Sequence, residues 1–484
     1  EMGMFFLACF AYGALITCSG QAVQGSIIVH PRVLEAREAI PEKTLVVHDG
    51  HSLRLRKASV LAARVLLQDI TSEGIVHRYI DGNYYERYLY HDSEKQAALL
   101  MKPQANGGYH ITGIVNSTHR IEPLLTLERS LSGGTPHKLS RMDLWNPTGK
   151  SARRPRSSRR IIYKSEKKED KLKLPQNFSV ETVFISDKSH SERFNTTDEH
   201  VDYVMVLMLG ASLRFQLLNP PGYIILTSIR RSTEREDKIF LNVSAKEKVA
   251  ARPTLRKIAN HAIFDFEIKD ADAVYLATKR AIEPGPNGGN HKGDLLGMAI
   301  RGGICDYEKG AVGKDDARTY SGMHVVVHEM GHLLGLHHDG DKDSKGCLLS
   351  GGFIMHPYDG GERYFLWSQC SKRAIKDILQ LPQSKCLHHV NKPYLAVLPN
   401  DTGNVIDGRK YCKEYFRNHE QVSHIEVSGT DNCYFRCEMK SLKKGPKYAN
   451  IPAPDGTPCD QRNKDKTCYE GFCMKRRQQN ISHL

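Results

Sequence analysis

"HVVVHEMGHLLGLHHDG", residues 324–340, sets five histidines and two acids in one short stretch. Its apolar residues recur at helical spacing up to Gly335, so the spacing predicts a helix that stops there, where glycine accepts a left-handed turn that a side chain resists. His328 and His332 stand four apart on one face of that helix, so both imidazoles can reach a single ion. A chain that reverses after Gly335 brings His338 back as a third nitrogen. Three neutral imidazoles leave a tetrahedral Zn2+ its fourth position for water, which is the arrangement of a reactive site; a structural zinc site is closed. Glu329, about 100° round the helix from His328, is placed to touch that water without being a ligand. It can take the water's proton and later hand it to a leaving amine. The remaining histidines read as neighbours. His324 shares the face one turn earlier, about 6 Å too far along the axis. His337 points elsewhere in the turn, and His356 suits a pocket wall or the surface. Asp339 reads as a carboxylate that supports the ligands from behind, since a direct role would crowd the open position.

The chain leading to this stretch alternates strand and helix. "VETVFIS" (180–186), "YIILTSI" (223–229), "AVYLAT" (273–278) and "LLGMAI" (295–300) read as strands, and residues 198–217 and 255–266 as helices. That order predicts an α/β domain whose sheet carries helices, with the histidine helix as the third. Residues 21–150 read as strand-rich, with alternating apolar positions and Asp-Gly turns.

Composition fits a globular protein of two or three units: 484 residues, 40% apolar and 26% charged. The net charge of +14 is no nucleic-acid signal, because five arginines are concentrated in "RRPRSSRR", residues 153–160, inside a polar stretch that reads as an exposed linker open to proteolysis. "MFFLACFAYGALITCSG", residues 4–20, has the length and small-residue ending of a signal-peptide core. Sequons at Asn116, Asn177, Asn195, Asn242, Asn400 and Asn480 agree with secretion, and no later segment is long and apolar enough to span a bilayer. Cysteine is absent between Cys18 and Cys305, and ten follow by Cys473, a pattern of disulfides in an oxidising compartment. Six of them crowd a tail with few apolar runs, where staples must substitute for a core. No pairing in the tail follows from spacing; zinc held by Cys433 and Cys437 is the rival reading.

Together His328, Glu329, His332, Gly335 and His338 match the metzincin zinc signature H-E-x-x-H-x-x-G-x-x-H, and Asp339 after the third histidine resembles the adamalysin, or reprolysin (M12B), branch. Met355 in "GGFIMHP" is similar to that branch's Met-turn, which lies beneath the metal. "GMAIRGGIC" is similar to its edge strand, which pairs with peptide substrates. More loosely, the whole layout resembles the secreted metalloproteases of tick saliva, and the tail resembles the cysteine-rich part of ADAMTS proteins. The resemblance implies a metzincin catalytic domain: a twisted mixed sheet with long helices, the zinc helix below the cleft. It is preceded by a β-rich prodomain and followed by a small disulfide-rich module. It divides the chain into a signal peptide (1–22), a prodomain ending in a basic cleavage site (23–160), a linker (161–175), a catalytic domain (176–390) and a cysteine-rich domain (400–484). It further implies that Cys305 bridges Cys386 and Cys347 bridges Cys370. Glu181 and Asp272 match two ligands of a calcium site in many relatives, but His389 stands where asparagine is expected, so Ca2+ is only partly supported. Relatives often silence their zymogens with a prodomain cysteine, which this chain lacks.

The expected function is a secreted, monomeric zinc metalloendopeptidase acting on host extracellular-matrix or clotting proteins such as fibrinogen. The alternative is a receptor- or matrix-binding protein that acts through its cysteine-rich tail, with proteolysis minor or lost. An intact Glu329 favours the enzyme, and the absence of an RGD tripeptide weakens an integrin ligand.

Overall fold

The computed structural model describes residues 25–35, 43–142, 171–389 and 408–475, apart from short gaps within these ranges. The signal-peptide segment and the arginine-rich cleavage region lie outside the described residues, as do Asn400 and Asn480.

One seven-stranded sheet organises the molecule. Its strands are β1 (Leu61–Thr71), β2 (Gly74–Asp81), β3 (Phe178–Ser186), β4 (Gly222–Arg231), β5 (Ala273–Thr278), β6 (Gly297–Ala299) and β7 (Gly310–Lys314). Across the sheet they run β6-β7-β5-β3-β4-β1-β2. β3 lies parallel to both β4 and β5, and β7 lies parallel to β5, whereas β6 runs antiparallel along β7 as the edge strand. β3 is buried along its whole length and β5 likewise; β5 reads as an almost continuous apolar run, whereas β3 also buries Ser179, Glu181, Thr182 and Ser186.

Three helices pack on this sheet, α1 (Thr197–Phe215), α2 (Ala251–Ala262) and α3 (Met323–Leu334), and a fourth, α4 (Gln369–Leu379), adds Ile375, Ile378 and Leu379 to the apolar cluster beside it. α1 begins where the Thr196 side chain accepts a hydrogen bond from the Glu199 amide, with Asp198 and Glu199 in the first turn complementing the helix dipole. The helix expected over 255–266 starts four residues earlier. Pro253 sits in the first turn of α2, where its missing N–H has no intrahelical partner to lose, so proline does not delay the start. It also ends at Ala262, and a separate short helix, Phe266–Asp270, follows. The edge strand is shorter than the expected 295–300.

The N-terminal region is rich in strands, and nine of them, between Ser26 and Arg141, form a second sheet. The hairpin β1–β2, however, belongs to the large sheet: β1 pairs parallel with β4, Leu67 beside Ile229. Val65, Leu67, Ile80, Leu100 and Ile114 fall in the same apolar cluster as Phe178, Val180, Val204 and Met208. Gly210 on α1 leaves room for Ile114: a β carbon there would come within 2.9 Å of its terminal methyl. The two regions therefore share a sheet and a core, although the linker separates them in sequence.

The tail is built differently. A three-stranded sheet (Gln421–Ile425, Tyr434–Ser441, Lys444–Pro452) and a helix (Gly408–Tyr415) enclose a small cluster in which Cys412, Cys437, Cys459 and Cys468 are half of the buried residues. Disulfides join Cys412 to Cys437 and Cys459 to Cys473. Cys437 is thus spent in a bridge, which excludes the Cys433–Cys437 zinc reading. Among the described residues no helix is long and apolar enough to cross a membrane.

Candidate metal centre

α3 sits against β6 and β7 and is buried along its whole length. Its start is fixed by a buried carboxylate: Asp315 accepts a hydrogen bond from the Gly322 amide at 2.7 Å, the residue just before the helix. Asp315 also accepts from the Tyr203 hydroxyl at 2.6 Å and faces the His190 Nε2 at 2.8 Å, and these partners hold its carboxyl below the usual range against the pull of burial. The helix stops at Gly335, whose φ of 111° is left-handed.

The reversal that follows brings three imidazoles together. The Nε2 atoms of His328 and His332 are 3.1 Å apart, those of His328 and His338 are 3.3 Å apart, and those of His332 and His338 are 3.0 Å apart. The far side of each of the first two rings fixes its tautomer. His328 Nδ1–H donates to the Ile354 carbonyl at 2.7 Å, and His332 Nδ1–H donates to the Leu336 carbonyl at 2.8 Å. Their Nε2 atoms therefore carry lone pairs, and they point at a common centre from a buried setting. Convergent lone pairs repel one another, and a cation relieves that repulsion. An ion with Zn–N distances of about 2.0–2.1 Å in tetrahedral geometry separates its nitrogens by about 3.3 Å, so the trio fits zinc. The carbonyl partners on Nδ1 orient the rings from behind.

Glu329 is buried next to the trio, facing β6; a β carbon built on Gly297 of that strand would lie 2.8 Å from the Glu329 Oε1. Met355 is fully buried beneath the helix, its sulfur 2.8 Å from where a β carbon on Gly331 would stand. Its carbonyl accepts from the Asp339 amide at 3.0 Å, which ties the returning loop to the turn below. The buried Asp339 carboxylate accepts from the Ser368 hydroxyl at 2.7 Å. Ser368 in turn accepts from the Ser371 amide and so caps α4, which gives Asp339 a structural partner rather than a metal. Burial raises the Asp339 pKa.

The neighbouring histidines stand apart from the trio. His324 sets its ring edge-on to Tyr364, 5.2 Å between centroids. The His337 Nδ1 accepts from the Arg301 guanidinium at 2.9 Å, and His356 is half-buried beyond the methionine. The wall after Met355 is held partly by the N-terminal region. The Tyr364 hydroxyl donates to the Ser117 carbonyl at 3.2 Å, and Trp367 Nε1 donates at 2.6 Å to the carbonyl of Arg214, whose buried guanidinium donates to the Gln96 carbonyl. Disulfides join Cys305 to Cys386 and Cys347 to Cys370 on either side of the site.

Glu181 and Asp272 lie together and buried, the Glu181 amide donating to the Asp272 carboxylate at 2.8 Å. A cation already stands beside them, which disfavours calcium. The buried Lys309 ammonium already occupies this corner, donating to the Lys269 carbonyl at 2.9 Å and to the Ala271 carbonyl, while His389 is exposed. Burial pushes the Asp272 carboxyl up to about 6 and the Lys309 ammonium down.

Sequence reasoning missed Asp315, Gly297 and Trp367. Asp315 shares "KDDAR" with Asp316, and nothing in that pair tells the helix-starting acid from the exposed one. Only the first accepts from the Gly322 amide ahead of α3.

Comparison with known proteins agrees with this geometry. Two family models match: the reprolysin (M12B) family zinc metalloprotease over residues 286–393, and the M12B reprolysin-like metallopeptidase over 192–339. The venom metalloproteinase BumaMPs1 of Olivierus martensii is 27% identical over 73% of this chain and 89% of its own length. The venom metalloproteinase antarease TserMP_A of Tityus serrulatus is 25% identical over 74% and 92%. A disintegrin and metalloproteinase with thrombospondin motifs 18 of Mus musculus is 26% identical over 63% of this chain but only 24% of its own length.

Proposed function

The chain belongs to the reprolysin (M12B) family of zinc metalloendopeptidases, and from that premise we propose a secreted protease whose site is His328, His332 and His338 around zinc, with Glu329 as its acid and base. The observation that carries the reading is the convergence of three buried Nε2 atoms within 3.3 Å of one another, two of them with tautomers fixed by backbone carbonyls. Zinc bound there supplies a Lewis acid for the scissile carbonyl and lowers the pKa of attacking water.

The chain's own residues do the rest. The open edge of β6 offers backbone groups to an extended peptide, as in β-strand addition. Glu329 receives the proton of the attacking water on its carboxylate and returns it to the amine that leaves. Met355 and the Asp339–Ser368 pair keep the returning loop, and with it His338, in register with α3. Latency without a prodomain cysteine falls to the N-terminal region, which reaches the wall behind the site through Ser117 and Tyr364. Relatives named as venom metalloproteinases support export, and host matrix or clotting proteins such as fibrinogen are the proposed substrates of a monomeric, glycosylated enzyme.

The test is cleavage of gelatin and fibrinogen by the processed protein, with and without a zinc chelator, beside Glu329→Ala. Both treatments are expected to remove activity, the substitution by roughly 10²–10⁴-fold. Cleavage that survives them contradicts the zinc-protease site. Cleavage of gelatin without fibrinogen removes the clotting substrate alone.

A further inference from the structure

Two glycines on neighbouring strands receive one face of the zinc helix. Gly297 on β6 and Gly313 on β7 stand directly opposite each other in the antiparallel register. A β carbon on Gly313 would lie 3.0 Å from Val325 Cγ1 and 1.8 Å from the Tyr275 hydroxyl oxygen. A β carbon on Gly297 would lie 2.7 Å from Glu329 Cγ, 2.8 Å from its Oε1 and 2.9 Å from the Val312 carbonyl oxygen. Val325 and Glu329 are one turn apart on α3, so they share a face. The paired glycines thus form a slot: one half seats the helix through Val325, and the other half gives space to the working carboxylate.

The two halves differ in what a side chain would displace. At position 313 it meets an aromatic ring and a β-branched side chain in the core. At position 297 it meets the Glu329 side chain at Cγ and Oε1 and the backbone carbonyl of Val312, and of these the Glu329 side chain is the one that can turn aside. We propose that Gly297 is a positioning residue for the reaction: its missing side chain sets where the Glu329 carboxylate stands, and Gly313 sets how closely α3 approaches the sheet. This rests on Glu329 being the acid and base. β6 is the terminal strand, so its outer backbone edge stays open to peptide whether or not a methyl group points inward at 297.

The consequence is a split in the kinetics. A displaced base costs rate without costing peptide pairing, and a misplacement of about 1 Å can cost about 10²-fold. Gly297→Ala in the processed protein is therefore expected to lower kcat by roughly that factor, with KM within about twofold of wild type, bound zinc unchanged and Tm lowered less than in Gly313→Ala. In a Glu329→Asp background the same substitution should cost less than it does alone, since the two act through one group. Gly313→Ala should lower Tm further. Wild-type kcat in Gly297→Ala overturns the proposal, and so does a kcat loss matched by lost zinc or by a fall in Tm as large as that of Gly313→Ala. Full activity in Glu329→Gln would instead overturn the reading of Glu329 on which it stands.

Discussion

The regions flanking the catalytic domain are held by opposite means. The N-terminal region has no cysteine between Ser26 and Arg141, and it is joined through a shared sheet and a shared apolar cluster. The tail buries a small cluster, half of it cysteine, and is joined to itself by disulfides. Burial demands extent: strands must be long enough to pair and must carry large apolar residues inward. Staples demand none of that, because they act by restricting the unfolded chain. The difference teaches which perturbations travel into the site. Damage to the N-terminal region crosses the sheet, and damage to the tail stays in the tail.

The strongest way to break that contrast is to remove the Cys412–Cys437 bridge by replacing both residues with serine. The bridge spans 25 residues, so its loss should cost the tail about 3.5 kcal/mol, more than so small a core can replace. Proteolysis of the tail should then be rapid while peptide cleavage by the catalytic domain continues; a parallel loss of catalysis would show that the two are coupled. Next comes Leu67→Ala, which removes a buried side chain paired beside Ile229 and should cost about 3 kcal/mol. One shifted thermal transition for the N-terminal and catalytic regions together is expected, and two separated transitions would deny the shared core.

A smaller effect comes from acid. His137 in the N-terminal sheet is buried and neutral: its Nδ1–H donates to the Thr135 carbonyl at 2.8 Å and its Nε2 accepts from the Ile111 amide at 3.0 Å. Burial pushes its pKa down to about 4, so the unfolded chain binds the proton first as pH falls. Stability is therefore full above about pH 6.5 and declines towards pH 4, by about 2 kcal/mol at pH 5. A His137→Gln variant should flatten that slope in acid-dependent unfolding, and an unchanged slope would remove His137 from the account. The smallest effect is none: with the Lys309 ammonium already beside Asp272, a calcium-selective chelator should leave Tm unchanged. A fall in Tm would restore the calcium site.

Much of the site was legible because its determinants are local. The spacing of His328 and His332, the glycine at 335 and the return of His338 all lie within a few residues, and a helix turns such spacing directly into geometry. The strand at 273–278 was legible because a strand buried on both faces reads as an almost unbroken apolar run, and those at 180–186 and 223–229 because β-branched and aromatic residues crowd them. What depended on register across the sheet was not. Nothing in "LLGMAI" tells that Gly297 faces Gly313, and nothing in Leu61–Thr71 tells that it pairs with β4 rather than with its own region. The start of α2 was not legible either, since Pro253, a residue type that breaks helices elsewhere, is tolerated in a first turn.

The most direct measurement of the central claim is zinc-edge X-ray absorption on the purified, processed protein and on His338→Ala. One zinc per chain is expected, bound by three imidazole nitrogens and one oxygen at about 2.0–2.1 Å, with one imidazole fewer in the variant. A sulfur ligand, or an unchanged spectrum in His338→Ala, would contradict it.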